Sequence, residues 1–188
     1  MIGLVVAVAA GILIGFIRGG SLRTLGDTDL RAVWVVFVGV GLQLASTVAE
    51  HADLGGLALG LVLASFTGVL WFAALNFRLP GMTLIALGAL CNLVVISVNG
   101  GMPVSREALE KVGLGDTTFR GAHHALTDDS RLTFLADVIP ISVSANVVSV
   151  GDIIIWAGIL LLIQQLMVGP RGKRRRGAKK ISARSEPG

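Results

Sequence analysis

Five apolar runs of sixteen to nineteen residues, each free of Asp, Glu, Lys and Arg, constrain this chain more than any other feature. They lie at about 2–17, 32–49, 57–75, 82–98 and 153–168. A helix needs roughly 20 apolar residues to cross a hydrocarbon core, so each run is a candidate span and the first is a short one. Lipid offers no water to exposed backbone groups, and a helix satisfies them internally. The expected fold class is therefore all-α: an integral membrane bundle of five transmembrane helices. Residues 1–168 would form this membrane domain. Residues 99–152 would be a long extracytoplasmic loop containing short helices, and residues 169–188 a basic, disordered cytoplasmic tail. At 53% apolar and 15% charged, the chain lacks the polar surface a soluble domain needs. No basic residue precedes the first run and no small-residue cleavage site directly follows it, so it reads as a retained helix rather than a signal peptide.

Charge segregation sets the expected orientation. With five spans, loops 18–31 and 76–81 and the tail share one side and hold twelve basic residues, against four on the other side. Nine of the twelve acidic residues lie on that second side. The positive-inside rule then places the N-terminus outside and the C-terminus inside.

Small residues recur every four positions at Gly3, Ala7, Gly11 and Gly15, and again at Gly56, Gly60, Ala64 and Gly68. Residues at i and i+4 share a helix face, so each run carries a ridge that lets another backbone approach closely. Spans one and three run in the same direction and could pack in parallel through these ridges; the alternatives are that one ridge serves a homo-oligomer or that glycine and alanine are simply frequent here. Asn92 is the costliest polar group in the apolar runs and needs a helix-to-helix hydrogen bond. The absence of intramembrane charge weakens a proton-coupled transporter.

Function is expected in residues 99–152, which hold two of three histidines and seven of twelve acids. Asn99, Gly100 and Gly101 read as a helix stop followed by a sharp turn, with glycine amides free to meet a ligand. Ser105 should cap a short amphipathic helix in which Glu107 and Lys111 are spaced i, i+4. Thr127 should cap another, with Asp128 and Asp129 in its first turn. His123, His124 and Asp137 are the groups with chemical potential, and Asp137 should be hydrogen-bonded to a histidine or to the Asn99 turn. Asp152 is read as the N-cap of the fifth span, with Ser149 as competitor. Alternatively, Asp152 faces Asn99 and Asp137 in a polar site. Adjacent histidines point apart and no metal-ligand spacing occurs, so no metal and no cofactor are expected. The run from Pro170 to Lys180 follows a span on the inner side, where it would meet anionic lipid rather than nucleic acid.

Asn99-Gly-Gly-Met-Pro-Val104, the neighbouring His124, Ala136-Asp-Val-Ile-Pro140, Val148-Ser-Val-Gly-Asp152 and Arg18-Gly-Gly-Ser-Leu-Arg23 resemble a family of small bacterial membrane proteins known as domain of unknown function 5317. The resemblance covers nearly all of the chain except the tail. It implies a bacterial multispan membrane protein with no established activity, and it singles out Asn99, His124, Asp137 and Asp152. Three functions follow. The favoured one is a non-enzymatic membrane protein whose cap binds a small ligand, a lipid or a protein partner. The second is a membrane-embedded enzyme on a lipid-linked substrate, with His124, Asp137 and Asp152 as acid–base candidates. The third is a small transporter or channel component.

Overall fold

The computed structural model describes residues 2–169. The basic tail expected to meet lipid lies outside the described residues. Each of the five apolar runs is helical: α1 (Ile2–Ile17), α3 (Trp34–His51), α4 (Gly55–Leu75), α5 (Met82–Asn99) and α7 (Val150–Val168). Helices α3, α4, α5 and α7 are long and apolar enough to cross a membrane, while α1 is a shorter apolar helix. Large apolar side chains such as Phe37, Val48, Leu57 and Trp71 point outward. Outward apolar side chains suit helices whose solvent is lipid. A short helix, α2 (Leu22–Gly26), capped by Ser21, breaks the loop after α1.

The long helices pack in the order α3, α4, α5, α7, α1. This corrects the pairing considered for the first and third apolar runs. The α1 ridge is taken up by α7: a Cβ on Gly3 would collide with Trp156, and one on Gly15 with Met167. On α4, Gly56 and Gly60 face nothing within 4 Å, and Gly68 meets Val35 of α3.

The closest helix contact uses glycines spaced seven apart. Gly81, at the N-cap of α5, and Gly88 oppose Gly158 and Gly151 of antiparallel α7. Added Cβ atoms there would meet the opposing backbone: that of Gly158 would lie 2.8 Å from the Gly81 carbonyl oxygen, and that of Gly151 2.8 Å from the Gly88 carbonyl oxygen. One turn beyond Gly88, fully buried Asn92 donates from Nδ2 to Asp152 Oδ1 (2.8 Å) and accepts at Oδ1 from Ser149 Oγ (3.0 Å). This is the helix-to-helix bond that Asn92 requires.

Residues 100–149 sit at the end of the bundle where α3 and α5 finish and α4 and α7 start. The all-α expectation fails here, because the segment carries four short strands. β1 (Met102–Val104) pairs in parallel with β2 (His123–Ala125), and β3 (Ile139–Ile141) pairs antiparallel with β4 (Asn146–Val148). Asp137 extends the first sheet on the far edge of β1: its N–H donates to Pro103 O (3.0 Å) and its carbonyl accepts from Ser105 N (2.8 Å). Between the strands lies α6 (Arg106–Lys111), capped by Ser105 and carrying the Glu107–Lys111 pair at 2.7 Å.

The helix expected after Thr127 does not form. Only a 3-10 turn, Thr133–Leu135, follows, entered through Leu132 at φ 54°. The backbone of Arg131 is instead held by Asn99, whose Oδ1 accepts from Arg131 N (2.8 Å) and whose Nδ2 donates to Arg131 O (2.9 Å).

Over-packing a rigid contact costs about 1–3 kcal/mol, whereas an exposed helical glycine is about 1 kcal/mol worse than alanine. Gly151→Ala and Gly158→Ala should therefore each lower the melting temperature in detergent, and Gly60→Ala should hold or raise it. Equal effects at the three positions would contradict the α5–α7 contact described here.

Candidate functional site

The first sheet divides the polar groups of the cap between its two faces. Successive residues of a strand point to opposite faces. His124 pairs in register with Pro103, and Asp137 with Val104. His124 therefore lines a shallow groove of about 360 Å³, with Val98, Asn99, Thr127, Asp129, Ser130 and Arg131. Asp137 lines a larger pocket of about 580 Å³ on the other face, together with Glu50, His51, Arg120, His123 and Asn146. Its apolar wall comes from Val104, Leu109, Leu114, Phe119 and Val147.

Asp137 is the exceptional group. Its Oδ1 is shut away from solvent and has no hydrogen-bond partner, contrary to the expected bond to a histidine or the Asn99 turn. Burial, and then the negative charge of Asp152, hold its carboxyl well above the usual carboxylate range. A buried oxygen without a partner is costly as an anion and cheaper as an acid, because the proton removes the charge.

Asp152 does not cap α7. Ser149 does, with Oγ accepting from Asp152 N at 3.0 Å, while Asp152 Oδ2 accepts from Ser149 N at 3.2 Å. A capping box satisfies two free N–H groups at once, which a single N-cap aspartate could not do. Asp152 thus joins the Asn92 network and lies near enough to Asp137 to act on it, whereas Asn99 is committed elsewhere.

Asn99 has no spare donor. Its Nδ2 hydrogens go to Val95 O (2.8 Å) and Arg131 O (2.9 Å). Gly100 takes the left-handed conformation that ends α5. A Cβ on Gly101, at φ 158°, would come within 3.0 Å of both Ala122 O and His124 Cδ2. Gly100 thus ends the helix and Gly101 admits the neighbouring strand, both structural uses.

His124 Nδ1 lies 3.0 Å from Ala125 O. A carbonyl only accepts, so Nδ1 carries the hydrogen and leaves Nε2, which is buried without a partner. His123 points into the larger pocket, where its Nδ1 is 3.2 Å from Glu50 Oε1, the oxygen that also accepts from Ala122 N at 3.1 Å. The sequence alone assigns Glu50 no role. The one signal was an acid closing an apolar run, and its partners lie more than seventy residues away. Among the described residues, no group of three or more His, Cys, Asp or Glu side chains is arranged to hold a metal.

A model for a family of unknown function, DUF5317, matches residues 27–164, which include both pockets. The chain belongs to this family. An uncharacterised protein of Thermotoga maritima is 40% identical over 105 residues, covering 54% of this chain. The match spans 61% of that relative's length. No solved structure matches the chain.

The Asp137 geometry gives a signed pH prediction. The folded chain keeps a proton that the unfolded chain releases above about pH 4. The stability this group confers is full below that pH and is lost as pH rises towards its elevated folded value. Asp137→Asn, which stays neutral, should melt at or above the native temperature near neutral pH and flatten the decline as pH rises through that window. Identical pH profiles by detergent-phase thermal unfolding would refute the assignment.

Proposed function

We propose that this DUF5317 protein is a five-span bacterial plasma-membrane protein whose extracytoplasmic cap binds a small ligand in the larger pocket. The N-terminus lies outside and the C-terminus inside. The distribution of basic residues supports this orientation, and α1 packed along α7 supports the fifth span. At about 1.5 Å per residue, α1 is roughly 24 Å long, short but within reach of a locally thinned core.

The single observation that carries the ligand reading is Asp137, an unsatisfied carboxyl in the wall of a pocket of ligand size. Glu50 and His123 line the same pocket, as does Arg120. The pocket suits a molecule with an apolar body and a donor-bearing head, best an amine. An ammonium there would give Asp137 the charge partner it lacks and would share Glu50 with His123.

A second reading, an enzyme on a lipid-linked substrate, is supported by one contact. Glu50 orients the His123 imidazole as a carboxylate orients a general base. His124 and Asp137 face different cavities, so they do not form the acid–base pair considered from sequence.

Native mass spectrometry of protein released from mild detergent tests the ligand reading. A small molecule retained by the native chain and reduced about tenfold or more in Glu50→Gln and in Asp137→Asn is expected, since each loses a charge-assisted bond. Equal retention in folded variants would refute the site. His123→Gln, which keeps a polar side chain, should retain the ligand if the protein only binds, and should accumulate unreacted substrate if it catalyses.

A further inference from the structure

The shallow groove around His124 is a second cavity, separate from the pocket of Asp137, and its position is informative. Val98, on the last turn of α5, is 43% exposed, and Phe134 in the adjoining 3-10 turn is 66% exposed. That turn packs against the ends of α5 and α7, where Ile153 is also exposed. The groove therefore opens where an apolar helix surface gives way to polar chain, the level at which lipid headgroups lie.

Its chemistry is dipolar. The Arg131 guanidinium has no ion-pair or hydrogen-bond partner among the described residues, and neither has the Asp129 carboxylate; the two do not bridge each other. Ser130 Oγ accepts from Thr127 N at 3.0 Å and lies 3.4 Å from Thr127 Oγ1; whichever hydroxyl donates to the other, one hydroxyl hydrogen of the pair is left for a ligand. His124 Nε2 is a buried lone pair awaiting a donor. The groove thus offers one cation and a hydroxyl to an anion, and a carboxylate and an imidazole nitrogen to a donor-bearing cation.

We infer that this groove binds the zwitterionic headgroup of phosphatidylethanolamine, with its phosphate on Arg131 and Ser130 and its ammonium on Asp129 and His124. Phosphatidylglycerol would leave Asp129 facing further negative charge. Phosphatidylcholine has no N–H to give to His124. The acyl chains would run down past Phe134 and Val98 along α5.

The fold does not depend on the two charged side chains. Asn99 holds Arg131 by its backbone, and Asp129 is exposed. Variants at these positions therefore report on binding rather than folding.

The test is native mass spectrometry after incubation in detergent with equimolar phosphatidylethanolamine, phosphatidylglycerol and phosphatidylcholine. The native chain should retain phosphatidylethanolamine several-fold over the other two. Arg131→Gln should lower that retention about tenfold, the value of one charge-assisted phosphate contact. Asp129→Asn should abolish the preference over phosphatidylglycerol while lipid is still held. Equal retention of the three lipids, or unchanged retention in Arg131→Gln, would overturn the proposal. So would binding of water-soluble glycerophosphoethanolamine as tight as that of the lipid, because the site would then take a free metabolite. Glu50→Gln should leave the lipid preference intact, which separates failure here from failure of the larger pocket.

Discussion

The α5–α7 approach is the constraint on which the rest of the structure depends. Two glycine pairs, Gly81 with Gly158 and Gly88 with Gly151, bring antiparallel backbones together until an added methyl group on either side would strike the other chain. In lipid such closeness substitutes for the hydrophobic effect, which cannot drive one apolar helix onto another. The Asn92–Ser149–Asp152 network sits at the end of this contact and fixes its register. A slide of either helix would separate buried polar atoms from their partners, at about 1–3 kcal/mol for each orphaned group. Helices α1 and α4 are then added to opposite flanks of the central pair.

Both cavities follow from that register. The start of α7 carries Asp152 to where its charge reaches Asp137. The end of α5 delivers the Asn99 turn, from which β1 emerges with Pro103 and Val104 on opposite faces. One sheet of two short strands thereby presents His124 to one side and Asp137 to the other. Among the described residues, two buried side-chain atoms without partners, His124 Nε2 and Asp137 Oδ1, lie on separate faces of the cap and are the places where the chain leaves its own chemistry unfinished.

The long helices were legible in the sequence because charge-free apolar runs have few other outcomes. Asn92 was legible for the same reason: an amide in an apolar run must find a partner. The packing order was not. A search for small residues four apart finds the ridges on α1 and α4, but the decisive glycines recur at seven, and their pairing depends on the antiparallel partner. In the cap, propensity pointed to a helix after Thr127, and tertiary bonding overrode it. Asn99 supplies the partners that Arg131 would have found within a helix. Glu50 was hidden because its significance rests on His123 and Ala122, which only the fold brings near. Ser149 and Asp152 could be weighed as rival caps, but the reciprocal box uses both.

Asn76 and Asn99 terminate the antiparallel hairpin formed by α4 and α5 in the same way. Each donates to the carbonyl four residues back and clasps the backbone N–H and C=O of a distant arginine, Arg31 and Arg131 respectively. The two clasps differ in when they can close. Arg31 precedes Asn76 by 45 residues, so both halves of that clasp exist once Asn76 has been synthesised. Arg131 follows Asn99 by 32 residues, so the second clasp must wait for most of the cap. During synthesis, one end of the hairpin can be fastened while the other is still open. The clasp at Asn99 therefore closes later than the one at Asn76, on an α4–α5 hairpin whose residues are already made.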